Sequence, residues 1–308
     1  MGNSSSFSNF KVLRSRRHGC LLAALLGIAV LFDFALQSPC EAVNVSLSTG
    51  NLLYSDGQGH TMPYRLYLPP GYNSSTTDYP LIIFLHGAGE SGADNSLPST
   101  NGHIDTLFNA AQGAYGAQYK SLLLVPQTNM GWQEYPPNYV GQSMFMSIVD
   151  QIESTYRVDS RRLYLTGLSM GGFGTFDAIE NHPDLFAAAA PLSGGGDPSM
   201  ASYIKDVPIW AFHGSADDVV PVSDTDVMFD AIEAAGGNME YTRVEGVGHG
   251  GWETFYDGST YRNSKGQTLY QWMFSQTAKV PEPASLAMML GAVGFGLLFG
   301  IRRIRTKN

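Results

Sequence analysis

The feature that most restricts the fold of this chain is a regular exchange of strand-length apolar runs with amphipathic stretches between residues 64 and 246. "YRLYLPP", "LIIFLHG", "SLLLVPQ", "RLYLTG", "AAAAPLSG", "PIWAFHG" and "MEYTRVEG" read as strands. Between them, "MFMSIVDQIESTY", "GGFGTFDAIENH" and "DTDVMFDAIEAAG" space their apolar residues at helical intervals. Strand and helix in turn imply an α/β fold, a mostly parallel central sheet with helices on both faces. In such sheets functional residues gather in the loops beyond the carboxyl ends of the strands. No repeat or low-complexity segment interrupts residues 43–279, which therefore read as one domain.

Ser169 stands at one of those loops. Gly167-Leu168-Ser169-Met170-Gly171 fits G-x-S-x-G, in which glycines flank a strained strand-to-helix turn and the serine hydroxyl stands clear of the sheet. A glycine-rich helix entry capped by a serine would look the same locally, so the motif gains its meaning from the predicted strand before it and the predicted helix after it. A serine hydroxyl is a weak nucleophile and needs a base, which in turn needs an acid to orient it. Both are expected later in the chain, acid before histidine. "WAFHGSADDVVP" supplies Asp217 and Asp218 after one predicted strand, and "VEGVGHGGW" supplies His249 after the next. His213 lies within a strand end and reads as a structural hydrogen-bonding residue.

An oxyanion would be held by two backbone donors, the N–H of Met170 and one from "FLHGAGESG", where Ala88 is the first choice and Gly87 the second. His86 reads as a brace for that loop. Trp132 and Trp252 are candidates for lining an aromatic or sugar-binding cleft, with ordinary core packing as the alternative for each. Asp217, Asp218, Asp224 and Asp226 lack the spacing and glycine of a calcium loop, and neither a zinc motif nor a nucleotide loop appears, so no metal or cofactor is expected.

Both ends read as addresses. Lys11, Arg14, Arg16 and Arg17 precede the apolar stretch "CLLAALLGIAVLF", and small residues follow to Ala42, the order of a secretory signal peptide over residues 1–42. An uncleaved anchor is the alternative. At the other end, residues 280–308 join Pro281-Glu282-Pro283 to an apolar run over 284–301 and then to Arg302, Arg303, Arg305 and Lys307. As a helix that run would rise roughly 27 Å, enough to cross a bilayer with the basic cluster in the cytoplasm. The tail resembles the PEP-CTERM sorting signal of Gram-negative bacteria. That resemblance implies processing by an exosortase-type enzyme and delivery to the envelope or extracellular matrix; a plain anchor is the alternative.

Residues 43–279 carry 24 acidic and 10 basic side chains, a net charge of −14, which disfavours phosphate backbones and makes nucleic-acid binding improbable. The two cysteines, Cys20 and Cys40, fall in the expected leader, so the body is expected to hold no disulfide.

"YRLYLPPGYNSSTTDYPLIIFLHGAGESGADN", "GLSMGG", "HGSADDVVP" and "GVGHGGW" occur together and in order. Over residues 50–275 the chain resembles α/β-hydrolase esterases of the group that includes polyhydroxybutyrate-depolymerase-like and feruloyl-esterase-like enzymes and predicted peptidases. The resemblance implies a serine hydrolase of carboxylic esters; with the export expected from the two ends, an acylated extracellular polysaccharide is the expected substrate class. The resemblance also implies Ser169 as nucleophile, His249 as base, Asp217 as acid because it stands four residues before Pro221, and Ala88 with Met170 as the oxyanion hole. A serine peptidase of the same fold, or a surface protein using the scaffold for binding, are the competing expectations. Gly250-Gly251 departs from the group, where bulkier or polar residues often follow the histidine, and leaves the acyl-pocket wall undefined.

Overall fold

The computed structural model describes residues 50–96, 102–129, 131–133 and 140–279. The chain divides into two units, Met1–Ala42 and Val43–Asn308, and every described residue belongs to the second. The expected signal peptide, the tail 280–308 and its span 284–301 lie outside the described residues. Among the described residues no helix is long and apolar enough to cross a membrane.

Eight strands form one sheet: β1 (Leu52–Ser55), β2 (Thr61–Tyr67), β3 (Tyr79–Leu85), β4 (Leu122–Pro126), β5 (Val158–Leu168), β6 (Ala188–Leu192), β7 (Trp210–Gly214) and β8 (Glu240–Val244). Their order across the sheet is β1-β2-β4-β3-β5-β6-β7-β8. β1 and β2 pair antiparallel, as do β2 and β4, and every other neighbour pair is parallel. The strand order reverses around β3, which has β4 on one side and β5 on the other, so the crevice beyond the carboxyl ends of these strands is the natural place for a ligand.

The central strands read as unbroken apolar runs because both faces of the sheet are covered. In β3, Leu81, Ile83 and Leu85 enter one core while Ile82 and Phe84 enter the other. The first core is closed by α2 (Gly141–Thr155), α3 (Met170–Asn181), α4 (Ala201–Ile204) and α5 (Ser223–Ala234), through Phe145, Phe176, Ile204 and Met228 among others. The second is closed by α1 (Gly102–Ala111), α6 (Trp252–Tyr256) and α7 (Leu269–Met273), through Leu107, Phe255, Tyr256, Tyr270 and Trp272. Each such fully buried side chain contributes about 1.5–3 kcal/mol.

The structure corrects the sequence reading at several elements. The strand expected over "YRLYLPP" ends at Tyr67, because Pro69 and Pro70 have no N–H to give to a ladder. β1 was not anticipated: it is a four-residue edge strand with only alternate residues half-buried. The four helices α1, α4, α6 and α7 were also unanticipated; all but α1 are single turns of four or five residues, too short for a periodic signal.

Glu180, on α3, is 9% exposed and accepts a hydrogen bond from the Asp197 amide at 2.8 Å. Burial raises its pKa from 4.5 to about 7; the Asp197 amide opposes the rise, and the Asp177 and Asp197 charges add to it. Between these two values the native protein holds a proton that the unfolded chain has released. This contribution to stability is fully present below pH 4.5 and is lost as pH rises through 7. Relative to Glu180→Gln, the wild type should therefore lose about 1–3 kcal/mol of unfolding free energy between pH 5 and pH 8, measurable by denaturant titration at both pH values.

Candidate active site

β5 ends at Leu168 and α3 begins at Met170, which leaves Ser169 alone to turn the chain, at φ 53° and ψ −117°. Such a backbone costs of order 1–3 kcal/mol and persists only where the surroundings enforce it. The Ser169 amide donates to Leu192 O of β6 at 2.9 Å, and the Ser169 carbonyl accepts from the Gly172 and Phe173 amides. A Cβ on Gly171 would lie 1.9 Å from Leu85 O, and one on Gly167 would lie 2.4 Å from Gly171 O and 2.7 Å from Leu85 O. The two glycines of the motif are thus the points where β3, β5 and the start of α3 touch backbone to backbone.

His249 follows β8, and its Nε2 lies 3.0 Å from Ser169 Oγ while its Nδ1 lies 2.8 Å from Asp217 Oδ2. A carboxylate only accepts, so Nδ1 carries the proton and Nε2 is left to accept from the serine hydroxyl. Asp217 follows β7 and its side chain is fully buried. Its Oδ1 accepts from the Val219 and Val220 amides at 3.0 and 2.9 Å. Burial pushes the Asp217 pKa up, but the His249 hydrogen bond and the two amides outweigh it and hold the carboxyl below the usual value. Asp218 is exposed. His213 is buried, with Nε2 3.0 Å from Val220 O and 3.3 Å from Asp217 Oδ2, and Nδ1 2.7 Å from Thr225 Oγ1, so it braces the acid loop.

The loop after β3 runs alongside. Ala88 begins a 3₁₀ turn, Ala88–Glu90, and lines a cleft of about 440 Å³ together with Gly87, Glu90, His103, Leu168, Ser169, Val219, His249 and Trp252. The Gly87 amide is engaged by Glu90 Oε2 at 3.0 Å, which removes the second-choice oxyanion donor. Met170 N–H is the first of α3 and has no intrahelical partner. His86 is wholly buried, accepts the Thr128 amide at Nε2 (3.0 Å) and lies 2.7 Å from Gly87 O through Nδ1, which fixes the Nδ1–H tautomer. Burial lowers its pKa against the pull of the Gly87 carbonyl and the Glu90 charge, so it stays neutral.

The two tryptophans part company. Trp252 opens α6 on the cleft wall, edge-on to His249 at 5.0 Å between ring centres. Trp132 does not reach the cleft, contrary to its candidacy: it is 1% exposed, donates from Nε1 to His86 O at 2.9 Å and packs against Phe145. Glu90 and His103 also line the cleft without standing out in the sequence: Glu90 sits within a glycine-rich loop, and nothing local marks His103. Asp226 accepts from Tyr241 Oη and pairs with Arg243, and among the described residues no cluster of three or more His, Cys, Asp or Glu is arranged to hold a metal ion.

The sequence profile of a family described as "Putative esterase" matches residues 55–231. A bifunctional acetylxylan esterase/xylanase of Neocallimastix patriciarum is 29% identical over 54% of this chain and 23% of its own length. A poly(3-hydroxyalkanoate) depolymerase of Paucimonas lemoignei is 31% identical over 56% of this chain and 41% of its own. The chain thus spans less than half the length of these relatives. A solved thermostable esterase superposes with a TM-score of 0.60 at 34% identity, covering 74% of this chain and 63% of that one. The architecture is the α/β-hydrolase fold.

The close approach at Gly171 has a direct check. Gly171→Ala should cost about 3 kcal/mol or more by thermal or denaturant melting, because the new methyl must displace backbone. Gly250→Ala, where a Cβ would meet nothing within 4 Å, should stay within about 1 kcal/mol of wild type.

Proposed function

The chain belongs to the esterase family whose profile spans residues 55–231, and from that membership we propose that it is a carboxylic ester hydrolase working through Ser169, His249 and Asp217. The observation that carries this reading is the unbroken series of contacts at 3.0 and 2.8 Å from Ser169 Oγ through the His249 ring to Asp217. Ser169 Oγ attacks the acyl carbon as its proton passes to His249 Nε2, and the carbonyl π pair moves onto oxygen. The N–H groups of Ala88 and Met170 stabilise that oxyanion. Collapse re-forms the carbonyl and breaks the bond to the alcohol oxygen, which takes the proton from His249. Water then attacks the acyl-enzyme, His249 takes its proton, and the carboxylic acid leaves as Ser169 regains its hydrogen. Asp217, held ionised, fixes the tautomer that begins each half-reaction.

The substrate proposed is an acyl group borne by an extracellular polysaccharide. Similarity to a protein named for acetylxylan, the Trp252 ring beside the triad and the expected export all support it. Residues 1–42 serve as the export signal in this reading, and 280–308 as a sorting tail that is removed by an exosortase-type enzyme. Mature protein from the native host should then lack a peptide covering residues 290–308; recovery of that peptide from mature, membrane-bound enzyme would make the tail a permanent anchor.

A fluorophosphonate should label Ser169, and Ser169→Ala should abolish both labelling and ester turnover. Asp217→Asn should lower kcat about 10⁴-fold while Asp218→Asn changes it only a few-fold. Hydrolysis of acetylated xylan, feruloylated sugar, short acyl esters and peptides side by side ranks the substrate classes. Turnover confined to peptides would replace the esterase reading.

A further inference from the structure

We propose that Glu90, held by His103, is a positioning residue that clamps the Gly87–Ala88 peptide and so aims the Ala88 N–H at the oxyanion. The inference rests on the reading of Ser169 as nucleophile and Ala88 as oxyanion donor. Gly87 C=O and Ala88 N–H belong to one planar peptide, so whatever fixes the carbonyl fixes the direction of the N–H on its opposite side. Gly87 O lies 2.7 Å from His86 Nδ1 and accepts the Glu90 amide at 3.0 Å. The preceding peptide is fixed too, because Gly87 N–H donates to Glu90 Oε2 at 3.0 Å. Glu90 thus holds both peptides that flank the Gly87 Cα, one through its carboxylate and one through its own amide.

Such a clamp answers a local weakness. A Cβ at Gly87 would lie 2.7 Å from Leu168 Cδ1 and 3.6 Å from Ser169 Cβ, so the position is crowded but carries no side chain. Glycine leaves the backbone free to rotate beside the nucleophile, and a small rotation would swing the Ala88 N–H off target. The clamp is itself anchored. Glu90 Oε1 lies 2.8 Å from His103 Nε2, and the Glu90 carbonyl accepts from Gln127 Nε2 at 2.9 Å. Glu90 is 5% exposed and His103 8%. A carboxylate buried to that degree is costly unless its oxygens are paired, and here one oxygen meets the imidazole and the other the very amide that must not move.

The test compares Glu90→Ala, Glu90→Gln and His103→Gln with the wild-type full chain, in ester kinetics and in affinity for an arylboronic acid that forms a tetrahedral adduct with the nucleophilic serine. Loss of an oxyanion donor costs about 10²–10³ in kcat, and misaiming one should cost less. Glu90→Ala is therefore expected to lower kcat about 10–100-fold with KM within about twofold, and to weaken boronate binding by the same factor. Glu90→Gln keeps an oxygen that can accept Gly87 N–H and should recover part of both losses; His103→Gln should show a smaller parallel loss. If Glu90→Ala does not fold, the near-isosteric Glu90→Gln carries the comparison. Unchanged kcat in these variants, a raised KM with kcat intact, or a fall in kcat without weaker boronate binding would each overturn the clamp. Failure of the underlying esterase reading would instead appear in the wild type, as absence of turnover and of boronate binding.

Discussion

Everything in the candidate site depends on one backbone contact, the pressing of Gly171 against the carbonyl of Leu85. It joins the start of α3 to the end of β3 at a distance that admits no side chain. Between these two surfaces the chain has a single residue in which to leave β5 and enter a helix. Ser169 takes that turn at φ 53°, and its amide is tied to Leu192 of the next strand. The hydroxyl is therefore positioned by β3, β5 and β6 at once. The loop that follows Leu85 begins at the same contact, which is why the prospective oxyanion donor and the serine share a frame.

How much of this was legible in the sequence varied with how local the cause was. The central strands, α2, α3 and α5 announce themselves because both faces of the sheet are buried and those helices are long enough to repeat an apolar spacing. Ser169, Asp217 and His249 could be named because each sits next to glycines or turn residues at a strand end. Their mutual distances could not, since three separate loops must converge. α1 carries Ile104, Leu107 and Ala111 at helical intervals, so its signal too is present in the sequence. Trp132 misleads instead: an aromatic residue in a loop looks like a ligand platform until its burial behind the His86 carbonyl is seen. Glu90 was hidden because its role is to hold backbone groups, and hydrogen bonds to peptide units leave no pattern in side-chain chemistry.

The site also separates two kinds of buried carboxyl within a strongly acidic body. Asp217 is surrounded by donors, with two amides on one oxygen and two histidine nitrogens near the other, and is held ionised. Glu180, on the helix that follows Ser169, has one amide and two acidic neighbours, and is driven toward its neutral form. Donor supply, rather than depth, decides which of them keeps its charge. His86 is the opposite case: burial outweighs the Gly87 carbonyl and the Glu90 charge, and the ring stays neutral as a brace.

His249 hangs from an exposed edge of the sheet. β8 is an edge strand, paired only with β7, and its five residues are all at least partly exposed, whereas β4, β6 and β7 are wholly buried and β5 is buried from Leu163 to Leu168. Segments of this kind open by local fluctuation at far lower free energy than the interior. His249 can thus swing out of register while Ser169, bound into the central strands, stays where it is. Loss of activity on warming would then be an early and reversible event, separated from melting of the core, and the working temperature of the protein would be set by the fraying of one strand.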